Sequence, residues 1–272
     1  MSTTDPKHIL IIMGSPRKGN TFHACEMFRE YLEQEIPVQC EYIWLKDLNL
    51  HPCRGCLLCF TKGEQACPIH DDIPGIQEKM RKADAVIFAS PVYAMNVPSQ
   101  LKLMIDRLSF TFHRPEYFDK KAFLIATTGA LGHEDVLKYL ADVAGIWGFE
   151  VVGKAGMVTP IPVPAHLAER NRKTLQQTAH TFSAALKRTR RRSPGLKDVI
   201  IFHGQRAAFS QLKALSPADY HYWNEKGWLD KKVKFFVPVP VNPLSHAIGV
   251  LVEWIAAKKV RKDLIQNPGA NE

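Results

Sequence analysis

Gly14-Ser15-Pro16-Arg17-Lys18-Gly19-Asn20-Thr21 separates an apolar run, His8 to Met13, from a helical pattern, Phe22 to Leu32. The run reads as a buried strand. A strand that turns through small and polar residues into a helix makes an anion site. The first helical amides have no intrahelical partner, and the helix dipole places partial positive charge there. Ser15, Asn20 and Thr21 add side-chain donors and Arg17 adds a full charge, while Gly14 and Gly19 permit a tight turn and close approach. An ordinary capped strand–helix turn is the alternative. The spacing is neither G-x-G-x-x-G nor the Walker pattern that closes on G-K-[ST], so a monophosphate is the expected ligand.

The same alternation continues to about Leu186. Strand-like runs at His8–Met13, Val38–Leu45, Ala85–Ser90, Ala122–Thr127 and Val151–Val158 are interleaved with helical periodicity at Phe22–Glu33, Ile73–Lys82, Ser99–Leu108, Glu134–Trp147 and His166–Lys187. Five strands alternating with helices predict a doubly wound α/β fold, a parallel sheet covered on both faces. Ligands of such sheets sit beyond the carboxyl ends of the strands, where the strand order reverses. Two more strand ends should line that crevice. Ser90 to Pro98 is stiffened by prolines at both ends and carries Tyr93, Met95 and Asn96, walls for a flat heteroaromatic ligand. Thr127 to His133 is small and glycine-containing, so backbone can approach a ring edge. With the cradle, they predict a pocket for a phosphorylated ring system.

A chain of 272 residues with 46% hydrophobic content can bury a full core and is not disordered over most of its length. No apolar run reaches the ~20 residues a bilayer span needs. The polar N-terminus, Met1 to Lys7, carries no signal-peptide pattern, so a cytoplasmic protein is expected. Charge is unevenly placed: residues 1–186 hold 20 Lys+Arg and 20 Asp+Glu, whereas residues 187–272 hold 16 and 7, so the whole net charge of +9 lies in the last third. The expected division is therefore 1–187 and 188–272, with Lys187 to Gly195 as a basic linker.

All six cysteines lie in the first 67 residues, and four of them, Cys53, Cys56, Cys59 and Cys67, are spaced C-x2-C-x2-C-x7-C. Tetrahedral zinc more often takes two separated C-x2-C pairs. Three cysteines at successive threes and a fourth before Pro68 are closer to the embrace of a ferredoxin cubane. A [4Fe–4S] cluster, zinc, a thiol–disulfide pair and simple packing all remain open on spacing alone. Cys25 and Cys40, on a predicted helix and strand, read as small buried hydrophobes.

The last third contains an apolar stretch (Val199–Phe202), an aromatic-rich segment (Tyr220, Tyr222, Trp223, Trp228), a strand-like run (Lys234–Pro240) and a final helical pattern. In that helix Leu244, Ile248, Leu251, Val252 and Ile255 form an apolar stripe ahead of Lys258, Lys259, Arg261 and Lys262. The stripe is expected to bury itself against the parent domain or a twin subunit. Peripheral contact with anionic lipid is the alternative. The positive field would also suit an acidic electron-transfer partner. The basic residues are scattered and no reading motif is present, so nucleic acid is not expected.

Gly-Ser-Pro-Arg-Lys-Gly-Asn-Thr at 14–21, Ser-Pro-Val-Tyr at 90–93 and Gln-Leu-Lys-Leu-Met-Ile-Asp-Arg at 100–107 resemble the flavodoxin-fold NAD(P)H-dependent FMN reductases. With the cysteine loop, the chain is most similar to their iron–sulfur flavoprotein branch. The likeness covers roughly residues 7–187. It implies a 2-1-3-4-5 sheet and FMN. It places the 5′-phosphate on Ser15, Arg17, Gly19, Asn20 and Thr21. It places the ring on Pro91, Val92, Tyr93, Ala94, Met95 and Asn96 and on Thr128, Gly129 and Ala130, although the loop at 127–133 is poorer in glycine than is usual in that branch. Cys53, Cys56, Cys59 and Cys67 become candidate cluster ligands. The expected activity is oxidoreduction, with NAD(P)H or a ferredoxin-like carrier as donor, in a homodimer. An FMN/cluster electron carrier and a zinc- or thiol-stabilised binding module are the alternatives. No acid–base catalyst is assigned; Tyr93 and His133 stand where a proton donor could.

Overall fold

The computed structural model describes residues 5–266; the remainder of the polar N-terminus, residues 1–4, and the end of the basic segment, residues 267–272, lie outside them. Five strands, β1 (Lys7–Met13), β2 (Val38–Trp44), β3 (Ala85–Pro91), β4 (Lys121–Thr128) and β5 (Glu150–Val158), form one parallel sheet of order β2-β1-β3-β4-β5. This is the flavodoxin-like order expected. Ile9 to Met13 are wholly buried, as an interior strand of a sheet covered on both faces requires. Alternate residues serve opposite faces. Ile9, Ile11, Met13 and Phe123 meet α1 (Asn20–Glu33) and α6 (Ala165–Lys187), where Phe28 stacks on Phe123 at 4.4 Å and Phe182 closes the group. Phe88, on the other face, packs edge-on against Trp147, which follows α5 (His133–Ile146).

Contacts divide the chain into two compact units, and the second is discontinuous in sequence. The first comprises the chain up to Arg54 together with His70–Thr189; the second comprises Gly55–Ile69 together with Arg190 onward. Besides the sheet, α1, α5 and α6, the first holds α3 (Ile73–Lys82) and α4 (Ser99–Arg107). The second is helical among the described residues: α2 (Leu58–Thr61), α7 (Leu196–Phe209), α8 (Pro217–Glu225) and α9 (Pro243–Gln266). The aromatic-rich segment is its core. Trp223 stacks on Phe202 at 5.8 Å and meets Trp228 edge-on at 5.2 Å. The Trp228 indole N–H donates to the Phe236 carbonyl at 2.8 Å, satisfying a polar group that burial would otherwise leave unpaired.

One expectation for the last third is corrected. Lys234–Pro240 forms no strand. Pro238 and Pro240 lack the donors a ladder needs, and the segment instead bends so that Phe235 and Phe236 pack on Phe202 at 5.9 and 4.8 Å. Within the single chain, the apolar stripe of α9 is not buried as a unit. Ile248 and Val252 are half-buried, whereas Leu244, Leu251 and Ile255 are exposed, and the residues fully buried on α9 are Gly249 and Glu253. Of the expected linker, Lys187 to Gly195, Lys187 is the last residue of α6 and residues 188–195 contain no helix or strand.

Candidate functional site

A cavity of about 500 Å³ opens at the carboxyl ends of β1, β3, β4 and β5, beside the reversal of strand order between β1 and β3. Its volume lies within the range of small-molecule sites, ~300–1,000 Å³. Ser15, Arg17, Gly19, Asn20 and Thr21 line one part; Pro91, Val92 and Tyr93 line another; Thr127, Thr128 and Gly129 line a third. The three strand ends singled out in sequence therefore meet in one place. Ala94, Met95, Asn96 and Ala130 do not line it. Tyr93 and Asn96 close a tight turn through reciprocal backbone hydrogen bonds of 2.8 and 2.9 Å, with Ala94 and Met95 at positive φ between them. That turn carries Met95 toward Gly132, where an added Cβ would sit 3.1 Å from the Met95 sulfur.

Thr159, Pro160 and Ile161 also line the cavity, a fourth wall that sequence reasoning missed. Its signal was present: a fifth strand ending at Val158 must project its next residues into the same crevice. Backbone bonds fix this wall. Val92 N–H donates to the Thr127 carbonyl at 2.8 Å, and Thr159 N–H donates to the Thr128 carbonyl at 2.7 Å. The Asn20 side-chain amide reaches across to the Thr159 carbonyl at 3.2 Å.

The polar side chains divide between open and engaged. Arg17 is exposed. The Ser15 hydroxyl donates to the Arg17 carbonyl at 2.9 Å and accepts from the Arg17 amide at 3.2 Å, folding the turn back on itself. Thr21 is buried, its hydroxyl 2.6 Å from that of Thr127, so it ties the first turn of α1 to the end of β4. Gly14 is required by close packing: an added Cβ would lie 2.9 Å from a Leu101 methyl and 3.1 Å from the Ala89 carbonyl oxygen. The result has a polar, cationic part at the start of α1 and an apolar part at Val92, Tyr93, Pro160 and Ile161. A phosphorylated flat ring has that same division.

The cysteine segment leaves the first unit through a clamped stem. Asp71 accepts from the His51 amide at 3.1 Å and pairs with Arg107, whose guanidinium also donates to the His51 carbonyl at 3.3 Å. Asp72 accepts from the Asn49 amide at 2.7 Å and returns its own amide to the Asn49 carbonyl at 3.1 Å. Residues 49–51 and 71–73 are thus pinched together. Cys53 and Cys56 are exposed and Cys59 and Cys67 half-buried. The donor set, four thiols, is the chemistry an iron–sulfur cluster uses. Among the described residues no group of three or more His, Cys, Asp or Glu side chains is placed to hold a metal ion. Cys25 and Cys40 stand apart in the sheet region. Burial pushes the Cys40 thiol up to about 11, and burial with the nearby Glu26 pushes Cys25 higher still. Both therefore stay protonated and behave as packing groups.

The family model described as NADPH-dependent FMN reductase matches residues 8–160. An iron–sulfur flavoprotein of Archaeoglobus fulgidus is 31% identical over 220 residues, covering 80% of this chain and 98% of the relative. An iron–sulfur flavoprotein of Methanosarcina thermophila is 32% identical over 146 residues, covering 52% of this chain and 75% of the relative. Among solved structures, an azoreductase from Bacillus anthracis superposes with a TM-score of 0.54 at 17% identity, over 65% of this chain and 99% of that one, a likeness of fold.

Proposed function

The chain belongs to the NADPH-dependent FMN reductase family, in its iron–sulfur flavoprotein branch, and on that footing we propose an FMN oxidoreductase that draws electrons from NAD(P)H or a reduced ferredoxin-like carrier and delivers them to an acceptor through a [4Fe–4S] cluster. The observation that carries this reading is a cavity shared by four strand ends, cationic at the start of α1 and apolar beyond β3 and β5. Ser15, Arg17, Gly19, Asn20 and Thr21 would hold the 5′-phosphate, with Arg17 supplying charge. Pro91, Val92 and Tyr93, with Thr128 and Gly129, would hold the ring. When bound, FMN supplies two-electron acceptance and one-electron release, the latter matching what a cluster carries.

The protein's own task is to bind, orient and exclude water. Thr21 and Thr127 lock the helix start to the sheet, and the bonds from Val92 and Thr159 hold the walls in register. Cys53, Cys56, Cys59 and Cys67 would hold the cluster as thiolates. Tyr93, Met95, Leu131 and Ile161 are exposed large apolar groups at the ends of β3, β4 and β5. A second copy covering them would make the homodimer. No helix among the described residues is long and apolar enough to cross a membrane. The reading places the protein in the cytoplasm, where such thiols stay reduced.

Purification without oxygen, followed by an absorption spectrum and iron, sulfide and zinc assays on one sample, tests the proposal. The expected result is a flavin spectrum over a broad brown background, with four irons and four sulfides per cluster, and NADH or NADPH oxidation when a quinone is added. Arg17→Ala should weaken FMN binding about tenfold, the loss of one charge-assisted hydrogen bond. A yellow, iron-free protein would remove the cluster. A colourless protein that takes up no added FMN would overturn the whole reading.

A further inference from the structure

Helix α9 buries an acidic residue and leaves an apolar face outward over residues 244–255. Soluble helices bury apolar groups and expose charge. Here Glu253 is buried, and its neighbour Trp254 is exposed. The inward face is fixed by specific contacts with α7. Gly249 lies so close that an added Cβ would meet the His203 ring at 2.3 Å and a Val199 methyl at 2.9 Å. Glu253 accepts from His203 Nδ1 at 2.6 Å and from Arg206 Nε at 2.9 Å, and it pairs with Lys231. Rotating the helix to hide its apolar side would strand these buried charges, which is strongly unfavourable. The outward orientation of Leu244, Val250, Leu251, Trp254 and Ile255, each between 47% and 70% exposed, is therefore built in.

Helical spacing places Leu244, Leu251, Ile255, Lys258 and Lys262 on one side, so the apolar face runs directly into a basic one. The Lys258 ammonium sits 3.9 Å from the centre of the Trp254 ring, at the junction. Arg261 continues the basic stretch.

We propose that this face of α9 docks on an anionic lipid surface, with Leu244, Leu251, Trp254 and Ile255 entering the headgroup–acyl boundary and Lys258, Arg261 and Lys262 meeting lipid phosphates. Charge complementarity selects this occupant. A second copy would bring a surface with the same net positive charge, and the chain's whole excess of +9 lies in the last third. Tryptophan and basic side chains at the edge of an apolar patch are the composition that interfacial helices use. An anionic surface attracts each nearby Lys or Arg, and that attraction is screened by salt.

Flotation of the FMN-loaded full chain with phosphatidylcholine–phosphatidylglycerol vesicles, and with pure phosphatidylcholine vesicles, tests the proposal. Binding should be at least ~10-fold stronger to the anionic vesicles and should weaken with salt. Trp254→Ser and Lys258→Gln/Lys262→Gln should each lower vesicle binding ~10-fold or more while flavin absorbance and thermal transition stay unchanged. Recovery of the wild type only in the unbound fraction would overturn it. So would vesicle binding that Trp254→Ser leaves intact. A wild-type dimer that Trp254→Ser converts to monomer, without vesicle binding, would assign the face to a second copy instead. Capture by an acidic protein in place of vesicles would assign it to that class of partner.

Discussion

Asp71 shows how one carboxylate shapes the loop of nineteen residues between it and His51. Its side chain is fully buried and pairs with Arg107, itself only 5% exposed, while its oxygens also receive the amides of His51 and Ile73. Removing one partner of a buried pair leaves an uncompensated charge and costs about 3–5 kcal/mol. Asp71→Ala should therefore lower the unfolding free energy of the first unit by about that much in urea titrations, and Arg107→Met should do the same. The double substitution should cost less than the sum, since the charge left stranded by each single change is then absent. The Gln-Leu-Lys-Leu-Met-Ile-Asp-Arg stretch at 100–107 resembles a family signature, yet nothing in its spacing shows that Arg107 closes the stem of the cysteine segment. That partnership joins positions 36 apart and exists only after α4 packs. The cradle was legible for the opposite reason: Ser15 to Thr21 are contiguous, so the strand–turn–helix grammar is enough. Thr159 to Ile161 were missed because they carry no composition of their own, and only their place after a fifth strand gives them a role.

Strands and helices of the sheet were readable because burial imposes period and composition together. Ile73–Lys82 begins and ends where its periodicity does, with Lys79, Arg81 and Lys82 in its last turn complementing the helix dipole. Pro98 stands one residue before α4 and not within it, its φ of −59° leading the chain into the helix. The α7–α9 pair defeated the same grammar. A hydrophobic stripe is the only signal periodicity offers, and here a buried Glu253 with His203 and Arg206 decides which side faces inward. Burial alone would push the Glu253 carboxyl up. Hydrogen bonds from His203, Arg206 and Lys231 outweigh it and hold the group well below the usual carboxylate range. A carboxylate depressed in the folded state stabilises fully above its unfolded value, about 4.5, and that contribution is lost as pH falls through the folded value. The nearby titratable groups are His203 and Lys231, with His246 on α9 itself, whose own proton affinity is lowered by burial and by His203. Tryptophan fluorescence of Trp223 and Trp228 should thus report a second unit that loses stability progressively as pH falls below about 5. Glu253→Gln should cost about 3 kcal/mol at neutral pH and flatten the slope in that window. An unchanged slope would mean that another carboxylate governs it.

Charge asymmetry and chain topology separate the two units in different ways. Residues 1–186 are neutral overall and the rest carry +9, a contrast legible by counting. Counting along the chain does not reveal that Gly55–Ile69 belongs with the residues after Arg190. Cys56, Cys59 and Cys67 are consequently in the second unit, and Cys53 is at the edge of the first. Within the second unit α2, which carries Cys59, packs on α8. There the Ser216 hydroxyl lies 2.5 Å from Asp219 Oδ2 and 3.4 Å from the Phe60 carbonyl oxygen. A chain ending at Thr189 removes α8 while keeping the clamped stem at Asp71. Segments stripped of their packing partners open more often, and a loss of ~1.4 kcal/mol in local opening free energy raises the open fraction about tenfold. Iodoacetamide labelling of iron-free protein, read by peptide mass, should therefore show Cys59 reacting about tenfold faster in the truncated chain than in the full one. Cys25, on the buried face of α1, should stay inert in both and report that the first unit is still folded. In the full chain Ser216→Ala should raise the Cys59 rate more modestly, since it deletes one hydrogen bond and leaves the aromatic core of Phe202, Trp223 and Trp228 in place. Equal Cys59 rates in all three proteins, with Cys25 protected throughout, would show that residues 190–266 do not shelter the cysteine segment.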